Sequence, residues 1–142
     1  MNAFEPVAGA QRPLRIFVVE NHEDTRFLLC LLLEQLGHTV SSAPSLVEAL
    51  ETMPAARCDV LISDIGLPDG NGWDLMTRLG DDRPPYAIAM SGFGMSSDRQ
   101  RSLNVGYRHH LLKPVEPNQL ERLLDEAVDA IDSPAARQRR GA

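Results

Sequence analysis

The sequence predicts an α/β fold in which a parallel sheet is wound with helices on both faces. Short apolar runs alternate with longer amphipathic stretches in five βα units, the rhythm of a parallel sheet joined by crossover helices. The first run, Ile16 to Val19, is continuous and β-branched rather than alternating, as a strand covered on both faces should be. The length of 142 residues suits one ordinary domain, and a chain that is 43% hydrophobic and 24% charged has the composition of one that folds.

Taken in order, Ile16–Val19 is the first strand and ends abruptly in acid. Asp24–Leu36 follows as a helix so rich in leucine that more than one face must be covered, with Gly37 as its stop. Thr39–Ala43 is a weaker second strand. Ser45 and Glu48 form the S-x-x-E capping pattern of a helix carrying Leu46, Val47, Ala49, Leu50 and Met53, and Pro54 is placed just beyond it. Asp59–Ser63 is the third strand and runs into the turn-rich segment Asp64–Gly72. The next helix carries Trp73, Leu75, Met76 and Leu79, with Trp73 anchoring it to the fold.

Tyr86–Met90 is the fourth strand. Ser96–Val105 is helical but polar, which predicts loose seating on the sheet and a capacity to move. His109–Leu112 is a short fifth strand. The last helix has Pro117 near its first turn and Leu120, Leu123, Leu124, Ala127, Val128 and Ile131 at helical spacing, and Pro134 closes the ordered part. The expected organisation is a flexible segment over 1–13, one domain over 14–132 and a flexible tail over 133–142.

A formal net charge of −6 gives no electrostatic reason for direct binding to nucleic acid or to an anionic membrane. The one basic cluster, Arg137, Arg139 and Arg140, reads as a solvated tail. Cys30 and Cys58 lie in apolar runs without metal-ligand or disulfide spacing, so both are expected as small core residues in a reducing compartment. Residues 1–12 lack a secretory pattern and no apolar run approaches about 20 residues, which together predict a cytoplasmic protein.

In open α/β sheets ligands bind outside the carboxyl ends of the strands. Here those ends carry Glu20-Asn21, Asp64, Ser91-Gly92 and Lys113-Pro114: two carboxylates, a carboxamide, a hydroxyl and an ammonium aimed at one crevice. Such a pocket suits a hard divalent cation such as Mg²⁺. With the cation in place Asp64 can attack a phosphoryl group and form an acyl phosphate, Lys113 and the metal can hold the equatorial oxygens, and the Ser91 hydroxyl can donate to one of them. An acidic residue at a strand end is more often a turn former than a reactive group, so it is the conjunction at four strand ends that carries the reading.

From about Leu14 to Ile131 the sequence closely resembles the receiver domain family of response regulators. The resemblance rests on Val18-Val19-Glu20-Asn21, on Asp64-Ile65-Gly66-Leu67-Pro68-Asp69-Gly70-Asn71-Gly72, on Met90-Ser91-Gly92 and on Lys113-Pro114. It implies a flavodoxin-like (βα)5 fold with a five-stranded parallel sheet of order 2-1-3-4-5. It also implies a cis Lys113–Pro114 bond, phosphorylation of Asp64, and Mg²⁺ held by Glu20, Asn21, Asp64 and the Gly66 backbone carbonyl, with Ser91 and Lys113 answering the phosphoryl group. By the same resemblance the chain is a phosphoacceptor that catalyses its own phosphotransfer and dephosphorylation rather than an enzyme. Its implied partners are a sensor histidine kinase or histidine phosphotransfer protein and a downstream output protein, reached through the fourth helix, fifth strand and fifth helix. A homodimer stays open. Met1 and the short tails fit a free-standing protein better than a piece of a hybrid kinase.

Two departures stand out. Asn21 occupies the position of the family's usual metal-binding Asp, so one negative charge is missing and metal affinity should fall; Glu23 and Asp24 are expected in the first helix turn instead. His110 stands where the family commonly has a Tyr or Phe that swings inward. With an ordinary pKa of about 6.5 it could make the switch pH-sensitive, or serve only as a polar filler. His109 should point away from His110, and His22 and His38 read as rim and turn residues. The main alternative is a pseudo-receiver, a binding module of the same fold that acts without phosphorylation. A flavin site would need a Gly-, Ser- or Thr-rich loop where Glu20 to Asp24 is acidic, and a haloacid-dehalogenase-type phosphatase would need an Asp where Gly66 stands.

Overall fold

The computed structural model describes residues 12–92 and 96–133. The basic cluster Arg137, Arg139 and Arg140 and most of the predicted flexible ends lie outside the described residues. Five strands, β1 (Arg15–Val19), β2 (Thr39–Ala43), β3 (Val60–Asp64), β4 (Tyr86–Ser91) and β5 (His109–Leu112), form one parallel sheet of order β2-β1-β3-β4-β5. The central strands carry continuous apolar runs, Ile16–Val19, Val60–Ile62 and Tyr86–Met90, because both of their faces are covered.

The helices are α1 (Glu23–Gln35), α2 (Leu46–Ala56), α3 (Gly72–Leu79), α4 (Ser96–Asn104) and α5 (Pro117–Asp132). Alternate strand residues divide the core between the two faces. Ile16, Val18, Val60, Ile62, Ile88 and Met90 pack with α1 and α5, while Phe17, Val19, Leu61, Ala87 and Ala89 pack with α2 and α3. The two ends of the fold are joined where Arg12 pairs with Asp132 at the end of α5, at 2.7 Å.

Register aligns the strand ends. Val19 lies opposite Ala43 and Ser63, Asp64 opposite Met90, and Ser91 opposite Leu112. The residues that end or follow β1, β3, β4 and β5 therefore share one edge of the sheet.

Three local expectations are corrected. The leucine-rich α1 is covered on one face only: Leu29 and Leu33 are buried, whereas Phe27, Leu28 and Leu31 are 65%, 62% and 41% exposed. The sheet offers a single flank to each helix, and among the described residues no further layer lies over the outer side of α1. Pro54 falls inside α2 rather than beyond it. Its ring fixes a helical φ, and in the last turn only one backbone hydrogen bond is forfeited before Arg57 closes the helix in the left-handed region (φ 49°). The third strand begins one residue later than expected and includes Asp64 as its last residue.

Other signals act as read. The Ser45 hydroxyl accepts from the Glu48 N–H at 3.2 Å to cap α2, and Gly37, at φ 101°, turns the chain after α1. Glu23 and Asp24 do occupy the first turn of α1. Cys30 and Cys58 are half-buried at the margins of the core, and burial pushes the Cys58 thiol up to about 11, the range of an unreactive side chain.

Candidate functional site

The centre of the site is an ion cluster at the shared sheet edge. The Lys113 ammonium donates to Asp64 Oδ2 at 2.6 Å and also to Glu20 Oε1. Glu20 is 1% exposed and Asp64 8%, so both carboxylates are largely withdrawn from water and one ammonium bridges them. Carboxylates held this way need a cation, because two desolvated negative charges side by side repel strongly.

The remaining carboxylate oxygens have backbone partners. Glu20 Oε2 accepts from the His22 N–H at 3.0 Å, and Asp64 Oδ1 accepts from the Gly66 N–H at 3.2 Å. Burial raises the Asp64 carboxyl above the ordinary range and Glu20 adds to the rise, against the pull of Lys113 and the Gly66 N–H. For Lys113 burial pulls the opposite way, but its bonds to Asp64 and Glu20 outweigh it and the ammonium is held above its usual value. Both bonds from Lys113 run to carboxylate oxygens, the geometry of an ion pair.

The loop after Asp64 is built to hold still. Gly66–Leu67 and Gly70–Asn71 form a two-residue antiparallel ladder, which the turn-rich sequence did not foretell. The Asp69 carboxylate accepts from the Leu46 and Val47 N–H groups at 2.8 and 2.9 Å, pinning the loop to the start of α2. Tyr107 donates its hydroxyl to the Gly72 carbonyl at 2.7 Å from within the core. A Cβ on Gly72 would lie 2.7 Å from the Asp64 carbonyl oxygen, so glycine is required for that close approach.

On the other flank, Ser91 Oγ lies 2.7 Å from His110 Nε2, and His110 Nδ1 lies 2.8 Å from Ser102 Oγ, a fully buried hydroxyl on α4. His110 thus faces inward to Ser91, while His109 faces away and meets Glu126 at 3.2 Å. Trp73 links α3 to α4 by donating to Ser102 Oγ at 2.9 Å. Sequence reasoning missed Ser102, Tyr107 and Asp69 as supports. Asp69 at least lay within a quoted motif, whereas a serine inside a polar helix carries no signal until the fold sets it beside two rings.

Of the other residues singled out, His22 caps α1 by accepting from the Thr25 N–H at 3.2 Å, and His38 Nδ1 accepts from the Leu14 N–H at 3.0 Å. Asn21 is exposed beside the cluster, and Arg26 reaches back to the Glu20 and Asn21 carbonyls at 2.9 and 3.4 Å. The Lys113–Pro114 peptide bond is cis, as the resemblance implied.

The donor set fits Mg²⁺ in kind. Glu20, Asn21, Asp64 and the Gly66 carbonyl are all hard oxygen donors, and two carboxylates are what this ion takes when waters and phosphate complete its shell. The described residues contain no group of three or more His, Cys, Asp or Glu side chains suited to a metal, so an all-protein cage is not available there. When bound here the ion would neutralise the carboxylates and draw in phosphoryl oxygens.

The sequence model of the response regulator receiver domain matches residues 16–125. The chain belongs to that family. An uncharacterized 14.6 kDa protein from Leptolyngbya boryana is 36% identical over 116 residues, covering 78% of this chain and 87% of the relative. The sensor protein EvgS of Escherichia coli O157:H7 is 28% identical over 125 residues, which cover 87% of this chain but only 10% of that protein. The receiver domain of sensor histidine kinase PA1611 from Pseudomonas aeruginosa PAO1, solved with a magnesium ion coordinated in its active-site cleft, superposes with a TM-score of 0.73. It shares 22% identity, and the match covers 82% of this chain and 98% of that one. Receiver domains are switches of two-component signalling, and the five-stranded fold seen here is theirs. Among the described residues no helix is long and apolar enough to cross a membrane.

Proposed function

We propose that this receiver domain is a phosphoacceptor switch in which Asp64 takes a phosphoryl group from a phosphohistidine of a sensor kinase or phosphotransfer protein. The observation that carries the reading is the bridging of Asp64 and Glu20 by Lys113 at the sheet edge. In this reading Asp64 Oδ attacks phosphorus, the histidine nitrogen leaves with its electron pair, and an acyl phosphate forms on Asp64. Lys113 shifts its donors from the carboxylates to the incoming phosphoryl oxygens, and Ser91 donates to another. Glu20, Asn21, Asp64 and the Gly66 carbonyl would hold Mg²⁺, for which the magnesium-bound PA1611 receiver domain is a precedent.

Two surfaces support protein partners. The exposed Phe27, Leu28 and Leu31 of α1 adjoin an open apolar cavity of about 510 Å³ whose lining includes Leu28, Leu32, Pro114 and the site residue Lys113, a place for a protein donor to rest. On the opposite flank, Ser91 is linked through His110 to Ser102, so engagement of Ser91 would be felt by α4, β5 and α5, the face proposed to meet an output protein. A pseudo-receiver would have no use for the convergence of Asp64, Lys113 and Ser91, and that reading is not favoured.

The test is incubation with Mg²⁺ and acetyl phosphate. One phosphate per chain is expected, sensitive to hydroxylamine and absent in Asp64→Asn. Labelling that survives in Asp64→Asn, or absent labelling of the wild type, would refute the assignment.

A further inference from the structure

Four side chains from four elements form one uninterrupted run of hydrogen bonds: Trp73 on α3, Ser102 on α4, His110 on β5 and Ser91 at the end of β4. The run has a direction. An indole N–H can only donate, so Trp73 donates and Ser102 Oγ accepts at 2.9 Å. Ser102 is fully buried, and among the described residues its hydroxyl has one other neighbour to serve, His110 Nδ1 at 2.8 Å. A buried hydroxyl that kept its hydrogen from any acceptor would be costly, so the hydrogen goes to Nδ1.

An imidazole that accepts at Nδ1 carries its proton at Nε2, and Nε2 lies 2.7 Å from Ser91 Oγ. His110 is then the donor in that bond and Ser91 the acceptor. The hydrogen of the Ser91 hydroxyl takes no part in it and is the one Ser91 gives elsewhere. We propose that Trp73 and Ser102 are positioning residues that fix His110 as the neutral Nε2–H tautomer, so that Ser91 is held as an acceptor towards His110 and a donor towards the phosphoryl group on Asp64.

The arrangement also runs outward. When Ser91 swings to a phosphoryl oxygen it draws on the His110 Nε2–H bond, and each later member must follow or let go. The signal arrives at Trp73, whose ring is stacked 4.0 Å from the Arg101 guanidinium of α4. Trp73 is the sole tryptophan of the chain, so its fluorescence reports the far end of the run without ambiguity.

The inference rests on Asp64 being the phosphoacceptor, and its test separates the two. Histidine side chains labelled with ¹⁵N are read by two-bond N–H correlation in the unphosphorylated protein at about pH 8, where an ordinary histidine is neutral. His110 is expected with a protonated Nε2 and a bare Nδ1. Ser102→Ala should mix the tautomers and slow initial Asp64 labelling by Mg²⁺ and acetyl phosphate about five-fold, the factor of one lost hydrogen bond. The fluorescence change of Trp73 on phosphorylation should disappear in the same variant. Trp73→Phe keeps the hydroxyl of Ser102 but removes the donor that orients it, and it too should mix the tautomers.

A His110 protonated at Nδ1 in the wild type overturns the proposal, as does Ser102→Ala labelled as fast as wild type with an unaltered His110. If the wild type takes up no phosphate although His110 has the expected tautomer, the phosphoacceptor reading fails, and the donation from Ser91 to a phosphoryl group fails with it.

Discussion

Replacing Lys113 by methionine keeps the length of the side chain but removes the ammonium that bridges Glu20 and Asp64. Breaking a fully buried ion pair costs about 3–5 kcal/mol because a charge is left without its partner. Lys113 is 27% exposed along its side chain, so solvent screens part of the effect and about 2 kcal/mol is the better expectation. An independent ceiling comes from protonation. The orphaned pair can escape repulsion by taking up a proton, which for a carboxyl of ordinary pKa costs about 4 kcal/mol at pH 7 and only about 1.4 kcal/mol at pH 5. The loss should therefore shrink as the solution is made acidic.

The sign follows from linkage. In the wild type burial already holds the Asp64 carboxyl above its unfolded value, and without Lys113 it must rise further. A carboxyl raised in this way costs stability above its folded value, and the cost is relieved as pH falls through that value. Thermal unfolding in the presence of a chelator is the assay. At neutral pH Lys113→Met should melt about 6 °C below wild type, taking roughly 3 °C per kcal/mol for a domain of this size. The gap should narrow towards pH 5, and added Mg²⁺ should recover part of it at neutral pH. Equal melting temperatures at neutral pH, or a gap that stays constant with pH, would refute the view that Lys113 neutralises both carboxylates.

The His38 ring is held below its ordinary value mainly by burial, with Asp125 opposing, and its Nδ1 accepts from the Leu14 N–H, a bond that protonation at that nitrogen would break. Stability present above the unfolded value of about 6.5 is therefore lost as pH falls through the lowered folded value, and His38→Asn should flatten the dependence of melting temperature on pH between about 7.5 and 5.5. Asn21→Asp restores a second negative charge beside Glu20. It should tighten Mg²⁺ about tenfold in a calorimetric titration, and unchanged affinity would remove Asn21 from the metal's surroundings.

Much of the fold was legible because strands buried on both faces leave a plain signature. Val60-Leu61-Ile62 and Tyr86 to Met90 are short apolar runs set between turn signals, the pattern of strands inside a parallel sheet, and the strand ends then fall into line. What escaped depended on what lies outside an element rather than within it. The leucines of α1 read as doubly covered because composition records hydrophobicity and not the presence of a neighbour. Pro54 read as a stop because its chemistry breaks helices, yet in a last turn that chemistry costs a single bond.

The site divides in the same way. Glu20, Asp64, Ser91 and Lys113 were legible because each ends or follows a strand, and the sheet brings strand ends together whatever else varies. Ser102 was not, because its neighbours come from other elements and its own helix is polar. His110 lay between: its position was visible, but the direction of its hydrogen bonds depends on Trp73 two links away.

Asn21 bears on the metal-free state as much as on the metal. With Asn21 the strand-end set holds two carboxylates, and the single ammonium of Lys113 can reach both of them. An aspartate there would leave a third negative charge that Lys113, already bonded to two carboxylates, could not also neutralise. The missing charge thus loosens the cation's hold while it removes a repulsion that the cation would otherwise have to quench. In such a domain the resting state is comparatively settled without metal, and on the proposed assignment a bound Mg²⁺ would compete with Lys113 for Glu20. Asn21→Asp should therefore move two quantities in opposite directions, raising affinity for Mg²⁺ and lowering the melting temperature measured in chelator. A gain in the first without a loss in the second would mean that position 21 addresses the metal alone and takes no part in the charge balance set by Lys113.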